Sequence, residues 1–345
     1  MTEYKLITQE IGSFRKPDYL SKNFHKTLNS EQFFERASRA SLETLRIFDA
    51  SGLDNLGVAG EMFRWEMYEH FATRVKNLEF YGLVRSFDNR YYKKGSVIGP
   101  VKRNESLHLV ETEFLLKNTD GKLKIPITGP YTMMDWSFNE YYPSRYDLAI
   151  SFAEIINDEI RELRAIWKKY RNEEKMEIQI DEPAATTHPS EMGIVLDSVN
   201  RALEGIQGIE PSIHVCYSKD YEDLFKIMPD LKVDGYNLEF ANRDPLNLGI
   251  GLENRSGYTD VKRFNEYNET ASRKKFLGLG VTDVHSDEIE SVTLIKDRIN
   301  TARDIIDDDS LLRINPDCGL RTRSIQTGYE KLYNMNLAVK EIKQS

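Results

Sequence analysis

Eight short apolar, β-branched runs recur along this 345-residue chain, with longer amphipathic stretches between them. The runs are Leu6–Ser13, Asp54–Glu61, Ile125–Pro130, Glu177–Asp181, Ser212–Cys216, Gly235–Glu239, Phe276–Asp283 and Leu312–Cys318. Helical periodicity fills the gaps over Glu31–Ala50, Ser144–Arg171, Pro189–Gly205, Lys219–Met228, Arg255–Arg273, Ser286–Asp307 and Thr327–Lys343. Strands that alternate with helices imply parallel βα units. Eight of them predict an α/β fold of the (β/α)8 TIM-barrel type. The spacing is even except between the second and third runs. There, residues 74–124 are rich in Tyr, Phe, Lys and Gly, and SFDNRYYKKGSVIGPVKR has the pattern of a β-hairpin with SVIGP in one arm. That stretch is expected to be an insertion over the barrel mouth, within a single domain spanning 1–345. No linker, repeat or low-complexity tract interrupts the pattern.

In a parallel barrel the strands' C-terminal ends build the active site. Each run here ends in a tight turn or a chemically capable group: Ile11-Gly12-Ser13, Gly60-Glu61, Gly129-Pro130, Asp181-Glu182-Pro183, His214-Val215-Cys216, Glu239, Asp283-Val284-His285 and Asp317-Cys318-Gly319. Packing alone does not account for eight such endings on one rim.

The formal net charge of −9 argues against a nucleic-acid partner, which requires a basic face. The start, MTEYKLITQEIGS, lacks the basic and apolar regions of a signal peptide, and no apolar run is long enough to span a bilayer. A cytoplasmic protein without membrane association is expected. The chain has only two cysteines, Cys216 and Cys318. In such a setting they suit metal binding or catalysis better than a disulfide framework; the alternative is two packed core thiols.

His214 and Cys216 stand two apart on a strand, so their side chains share one side of it. Glu239 ends the next strand and Cys318 the eighth. One imidazole, two thiolates and a carboxylate suit Zn2+ better than Mg2+ or Ca2+. A zinc ion with such electron-rich ligands activates water poorly. It binds a substrate thiol well, because a coordinating thiol is deprotonated outright. The pattern therefore favours alkylation at sulfur over hydrolysis.

At these same residues the sequence resembles the catalytic domain of cobalamin-independent methionine synthase, in the short form that lacks the second barrel. The matching motifs run nearly end to end: IGSFRKP, GLDNLGVAGEMFRWEM, ITGPYTMMDWSF, IQIDEPA, IHVCYS, NLEFANRD, GLGVTDVHSDEIES and NPDCGLRTR. The resemblance implies methyl transfer to the thiol of homocysteine, giving methionine, with zinc on His214, Cys216, Glu239 and Cys318. It implies that Ile11, Gly12 and Ser13 hold the amino-acid carboxylate and that Glu61 and Asp181 hold its ammonium group. It makes His285 the proton donor to the departing amine, with Asp283 orienting or charging the ring, as suits a group that titrates near neutrality. Arg90, Tyr91 and Trp136 fall where the family contacts the methyl donor.

Two departures lie on that donor side. The text around Arg90 is not the usual SYGSR, and Thr187 in DEPAATTH stands where the family carries a glutamate. A methylated folate or other pterin, and a methyl-corrinoid carried by a partner protein, both remain as donors. A separate N-terminal-type barrel remains as a partner. Alkylation of another thiol such as coenzyme M is the alternative enzyme reading; Glu61 and Asp181 discriminate, since they suit an ammonium group. A non-catalytic accessory barrel is a third reading, against which His285 speaks.

Overall fold

The computed structural model describes residues 6–85 and 91–344. Among these, ten strands run in chain order: β1 (Ile7–Thr8), β2 (Val75–Arg85), β3 (Tyr91–Arg103), β4 (Lys124–Thr128), β5 (Phe138–Asn139), β6 (Met176–Asp181), β7 (Ile209–Val215), β8 (Gly235–Leu238), β9 (Phe276–Thr282) and β10 (Leu312–Pro316). Seven form one parallel sheet in the order β1-β10-β9-β8-β7-β6-β4. Their residues are largely buried, as expected of strands covered on both faces. Helices connect successive strands, among them Glu31–Ser51, Arg145–Tyr170, Met192–Ala202, Thr259–Thr270 and Val292–Ile306, and a last helix, Ile325–Ile342, follows β10. No helix among the described residues is long and apolar enough to cross a membrane.

The sheet curls on itself, and a buried amide network shows it. Gln9, just past β1, donates to Asn237 of β8 at 2.8 Å and to Asn315 of β10 at 3.2 Å. Strand β8 lies three places from β1 in the sheet order, so these side chains meet only across the inside of a curled sheet. Asn237 in turn donates to Gln179 of β6 at 2.9 Å, and Gln179 donates to the Ile11 carbonyl and to Asp181, each at 2.8 Å. Gly278 leaves room for the network, because a Cβ there would lie 2.0 Å from the Asn237 amide oxygen.

Seven of the eight expected runs carry a strand of this sheet. The second, Asp54–Glu61, does not become a strand. Only Asn55 pairs, by single parallel bridges to Gln9 on one side and Lys122 on the other. Gly57, Ala59, Gly60 and Glu61 all have φ between 51° and 74°, which turns the chain away from extension directly afterwards. The expected hairpin has SVIGP in β3, as anticipated, and its other arm is β2, antiparallel to it and upstream of the quoted stretch. β5 pairs with β3 to complete a separate three-stranded sheet. Tyr68 anchors that sheet: its hydroxyl accepts from Gly95 N–H at 3.0 Å and meets the Ser137 hydroxyl at 2.8 Å.

Candidate active site and metal centre

The ends of β7 and β10 bring together the two thiols and one imidazole. His214 closes on Asn237 of the neighbouring strand, its Nδ1 2.9 Å from that backbone carbonyl. A carbonyl only accepts, so Nδ1 carries the proton and Nε2 is left as a donor atom for a metal. Nε2 lies 3.4 Å from Cys318 Sγ. The ligand atoms of His214, Cys216 and Cys318 all lie within 4.8 Å of one another, the only such group among the described residues.

The Cys216 thiol donates to Cys318, holding Cys318 well below the usual thiol range and pushing Cys216, which is also buried, well above it. Burial disfavours a charged His214, but the Cys318 thiolate outweighs it and lifts the ring to about 9. The cluster thus holds protons where a cation would release them.

Glu239 stands beside this group, fully buried. Its Oε2 accepts from Tyr217 N–H at 2.7 Å and from Asn242 Nδ2 at 3.1 Å. Its Oε1 has no hydrogen-bond partner and lies 3.5 Å from Nε2 of His285. That pairing is the main reason the His285 ring is raised to about 9. Asp283 Oδ1 accepts the backbone N–H of His285 at 2.8 Å, which shapes the turn, and its negative charge adds to the rise of the ring. Asp317 fixes the loop that carries Glu239, accepting from three successive N–H groups, Phe240, Ala241 and Asn242, at 2.7–3.0 Å.

One cleft of about 960 Å3, open to solvent, is lined by His214, Cys216, Cys318 and His285 together with Ile11, Gly12, Ser13, Glu61, Asp181 and Trp136. Glu239 and Asp283 lie behind this lining. Burial pushes Asp181 up to about 7, and the Glu61 carboxylate adds to the shift. Glu61 has φ of 60°, a strained value for a side chain of its size, and lies 3.5 Å from Arg64. Two carboxylates in one partly dry wall suit an ammonium group.

On the donor side, Trp136 ends the helix Pro130–Asp135 and packs near Tyr92, ring centroids 5.8 Å apart. Tyr91 points outward, 55% exposed, away from the cleft lining. Arg90 lies outside the described residues. The Thr187 hydroxyl donates to the Ala184 carbonyl at 2.7 Å and is spent on its own turn.

Five lining residues went unread in the sequence: Glu66, Met67, Tyr217, Arg321 and Thr322. Tyr217 has φ of 58°, and its ring centroid lies 4.7 Å from that of His285 with the ring planes tilted by 60°. Each of the five lies inside a quoted motif (GLDNLGVAGEMFRWEM, IHVCYS or NPDCGLRTR), and that membership was the only signal for it.

Residues 6–341 match the family described as cobalamin-independent synthase, catalytic domain. The chain belongs to the cobalamin-independent methionine synthase family. A methionine synthase of Thermoplasma acidophilum is 59% identical over 333 residues, covering 96% of this chain and 97% of that one. One of Pyrococcus furiosus is 36% identical over 344 residues, covering 98% and 93%. The solved B12-independent methionine synthase of Shewanella sp. W3-18-1, in complex with selenomethionine, shares the fold with a TM-score of 0.80 at 24% identity, over 99% of this chain and 98% of that one. For this member of the methionine synthase family, the likeness therefore extends through the scaffold and is not confined to the cleft motifs.

Proposed function

We propose that this protein methylates the thiol of homocysteine, giving methionine, in the cleft described above. The observation that carries the reading is the convergence of His214, Cys216 and Cys318 in a cleft that also presents Glu61 and Asp181. Two thiols and an imidazole select Zn2+ among the common cations. The unpartnered Oε1 of Glu239 and the His214 ring, turned by Asn237, fit such an ion with Glu239 as the fourth ligand. A zinc ion bound there acidifies a coordinated thiol, so that homocysteine is held as a thiolate near neutral pH.

Glu61 and Asp181 take the substrate ammonium, and the backbone of Ile11 and Gly12 with the Ser13 hydroxyl takes the carboxylate. His285, cationic beside Glu239, gives its proton to the group that departs from the methyl, and Asp283 supports the turn that carries it. Trp136 offers a flat face to the donor, with Tyr91 and Arg90 as further contacts. The donor is a methylated pterin or a methyl-corrinoid. A partner protein or a separate barrel that delivers it would dock at the mouth. We read the scaffold as one closed barrel domain in which Asn55 fills the second strand position and the β2–β3 hairpin is an insertion at the mouth; the bridges of Asn55 support this. Two free thiols suit a reducing, cytoplasmic setting.

The test begins with metal content, then titrates homocysteine against coenzyme M, then offers methyltetrahydrofolate and methylcobalamin separately. Stoichiometric zinc, proton release on homocysteine binding and methionine from either donor are expected. Preference for coenzyme M would transfer the reading to that thiol. A protein with no metal and no thiol affinity would end it.

A further inference from the structure

A second pocket of about 1240 Å3, open to solvent, adjoins the cleft and is lined by Arg15, Lys16, Arg321 and Arg323, with Trp65 as its flat side. Four cationic side chains and no acid line it, in a chain of net charge −9. Arg321 and Thr322 line both pockets, so the two are contiguous through the segment that follows Cys318.

Lys16 is the decisive residue. It is 8% exposed, and among the described residues no hydrogen bond or ion pair reaches its ammonium group. The charges it feels, Arg321, Glu61, Glu111 and Arg64, act only from a distance. Burial, then Arg321, lowers its pKa to about 7. One lining cation, Arg323, is paired with Asp287 at 2.9 Å, and Asp18, two residues from Lys16, is paired with Lys22 at 2.7 Å; neither acid reaches Lys16. A buried ammonium without a counter-charge is unfavourable, and an anion from outside would complete it.

We propose that this pocket is an anion subsite that takes a carboxylate or phosphate group carried by the methyl donor, whose reactive end lies in the adjoining cleft. The inference rests on the reading of that cleft as a methyl-transfer site. Both donor classes fit: a folate ends in glutamate carboxylates, and a corrinoid with its nucleotide carries a phosphodiester. A guanidinium shared by both pockets, Arg321, suits either group, because its fork pairs with carboxylate and phosphate alike.

The experiment uses the full, metal-loaded chain with inorganic phosphate and glutarate as probes. Calorimetry compares the wild type with Lys16→Gln, and each probe is then used as an inhibitor of methionine formation. The expected result is binding that weakens at least tenfold in Lys16→Gln, with inhibition competitive against the donor and not against homocysteine. Tighter phosphate than glutarate assigns the subsite to a phosphodiester-bearing donor, and the reverse order to a carboxylate-bearing one. Equal binding by wild type and variant overturns the proposal. So does competition with homocysteine, or a bound phosphate that leaves the donor's KM unchanged and is then a free anion. If Lys16→Gln does not fold, exposed Arg15→Gln repeats the comparison, and an effect below twofold there overturns the proposal too. Failure of methionine formation with both donors ends the proposed function, while Lys16-dependent probe binding is read without turnover.

Discussion

At the scale of single residues, the cleft depends on side chains whose partners come from distant strands. His285 and Glu239 face each other at 3.5 Å, and neither facing atom has a hydrogen-bond partner. His285→Ala is expected to lower kcat for methionine formation by about 10²- to 10⁴-fold, the usual range for a lost general acid. Homocysteine-linked proton release should persist in that variant, and an unchanged kcat would remove His285 from the mechanism. Glu66 makes a different prediction. Burial lifts its carboxyl from 4.5 to about 7. The folded state therefore keeps a proton that the unfolded chain releases, so stability is full below about pH 4.5 and falls as the pH rises through 7. Glu66→Gln still caps the helix Met67–Ala72, where Glu66 accepts from Tyr68 and Glu69 N–H. It should be more stable than wild type by about 3 kcal/mol at pH 8 and nearly equal to it at pH 4. Denaturant midpoints at the two pH values check this, and parallel pH curves would refute it. The sequence made His214, Cys216 and Cys318 legible because an H-x-C pair and one other cysteine are rare in a chain with two cysteines. It hid Tyr217 because a left-handed φ of 58° leaves no compositional trace. It hid Glu66 because nothing local distinguishes a buried glutamate from a solvated one.

At the scale of elements, strand ends carry the chemistry and the loops behind them hold it in place. The loop after β8, which bears Glu239, is tied down through Asp244, whose Oδ2 pairs with Arg255 at 2.8 Å and with Arg298 of the helix Val292–Ile306 at 2.9 Å. All three side chains are fully buried. Asp244→Ala leaves two buried guanidinium groups short of their counter-charge, and a loss of about 3–5 kcal/mol of stability is expected. Equilibrium unfolding measures it, and a loss below about 1 kcal/mol would mean the two arginines find other partners. Alternation of apolar and amphipathic runs revealed most of the strands because parallel strands buried on both faces read as continuous apolar stretches. It failed at Asp54–Glu61 because the same small and apolar residues also serve a series of left-handed turns from Gly57 to Glu61. It found one hairpin arm and missed the other, since β2 alternates Lys, Glu and Tyr with apolar residues and most of it is exposed.

At the scale of the whole molecule, the proposed metal ligands couple the site to the fold. His214 and Cys216 leave β7, Glu239 follows β8 and Cys318 follows β10; the His214–Cys318 contact spans 104 residues of sequence. The unfolded chain cannot assemble ligands so far apart, so an ion that binds them binds the folded state almost exclusively. Binding of that kind raises stability by RT ln(1 + [L]/Kd), about 2.7 kcal/mol at a hundredfold excess over Kd. Chelator-treated protein should therefore unfold at a lower temperature than protein given zinc, and the midpoint should climb with zinc concentration. Cys318→Ser should abolish most of that dependence while leaving the curled sheet intact, because Cys318 is only partly buried at the cleft wall and takes no part in the buried amide network. The same scan with Mg2+ separates a thiolate-selective site from a general acidic one: magnesium, which prefers oxygen ligands, should leave the midpoint unmoved. A melting temperature indifferent to zinc would mean that the two thiols and the imidazole meet without holding an ion, and the thiol chemistry proposed for the cleft would then have no activator.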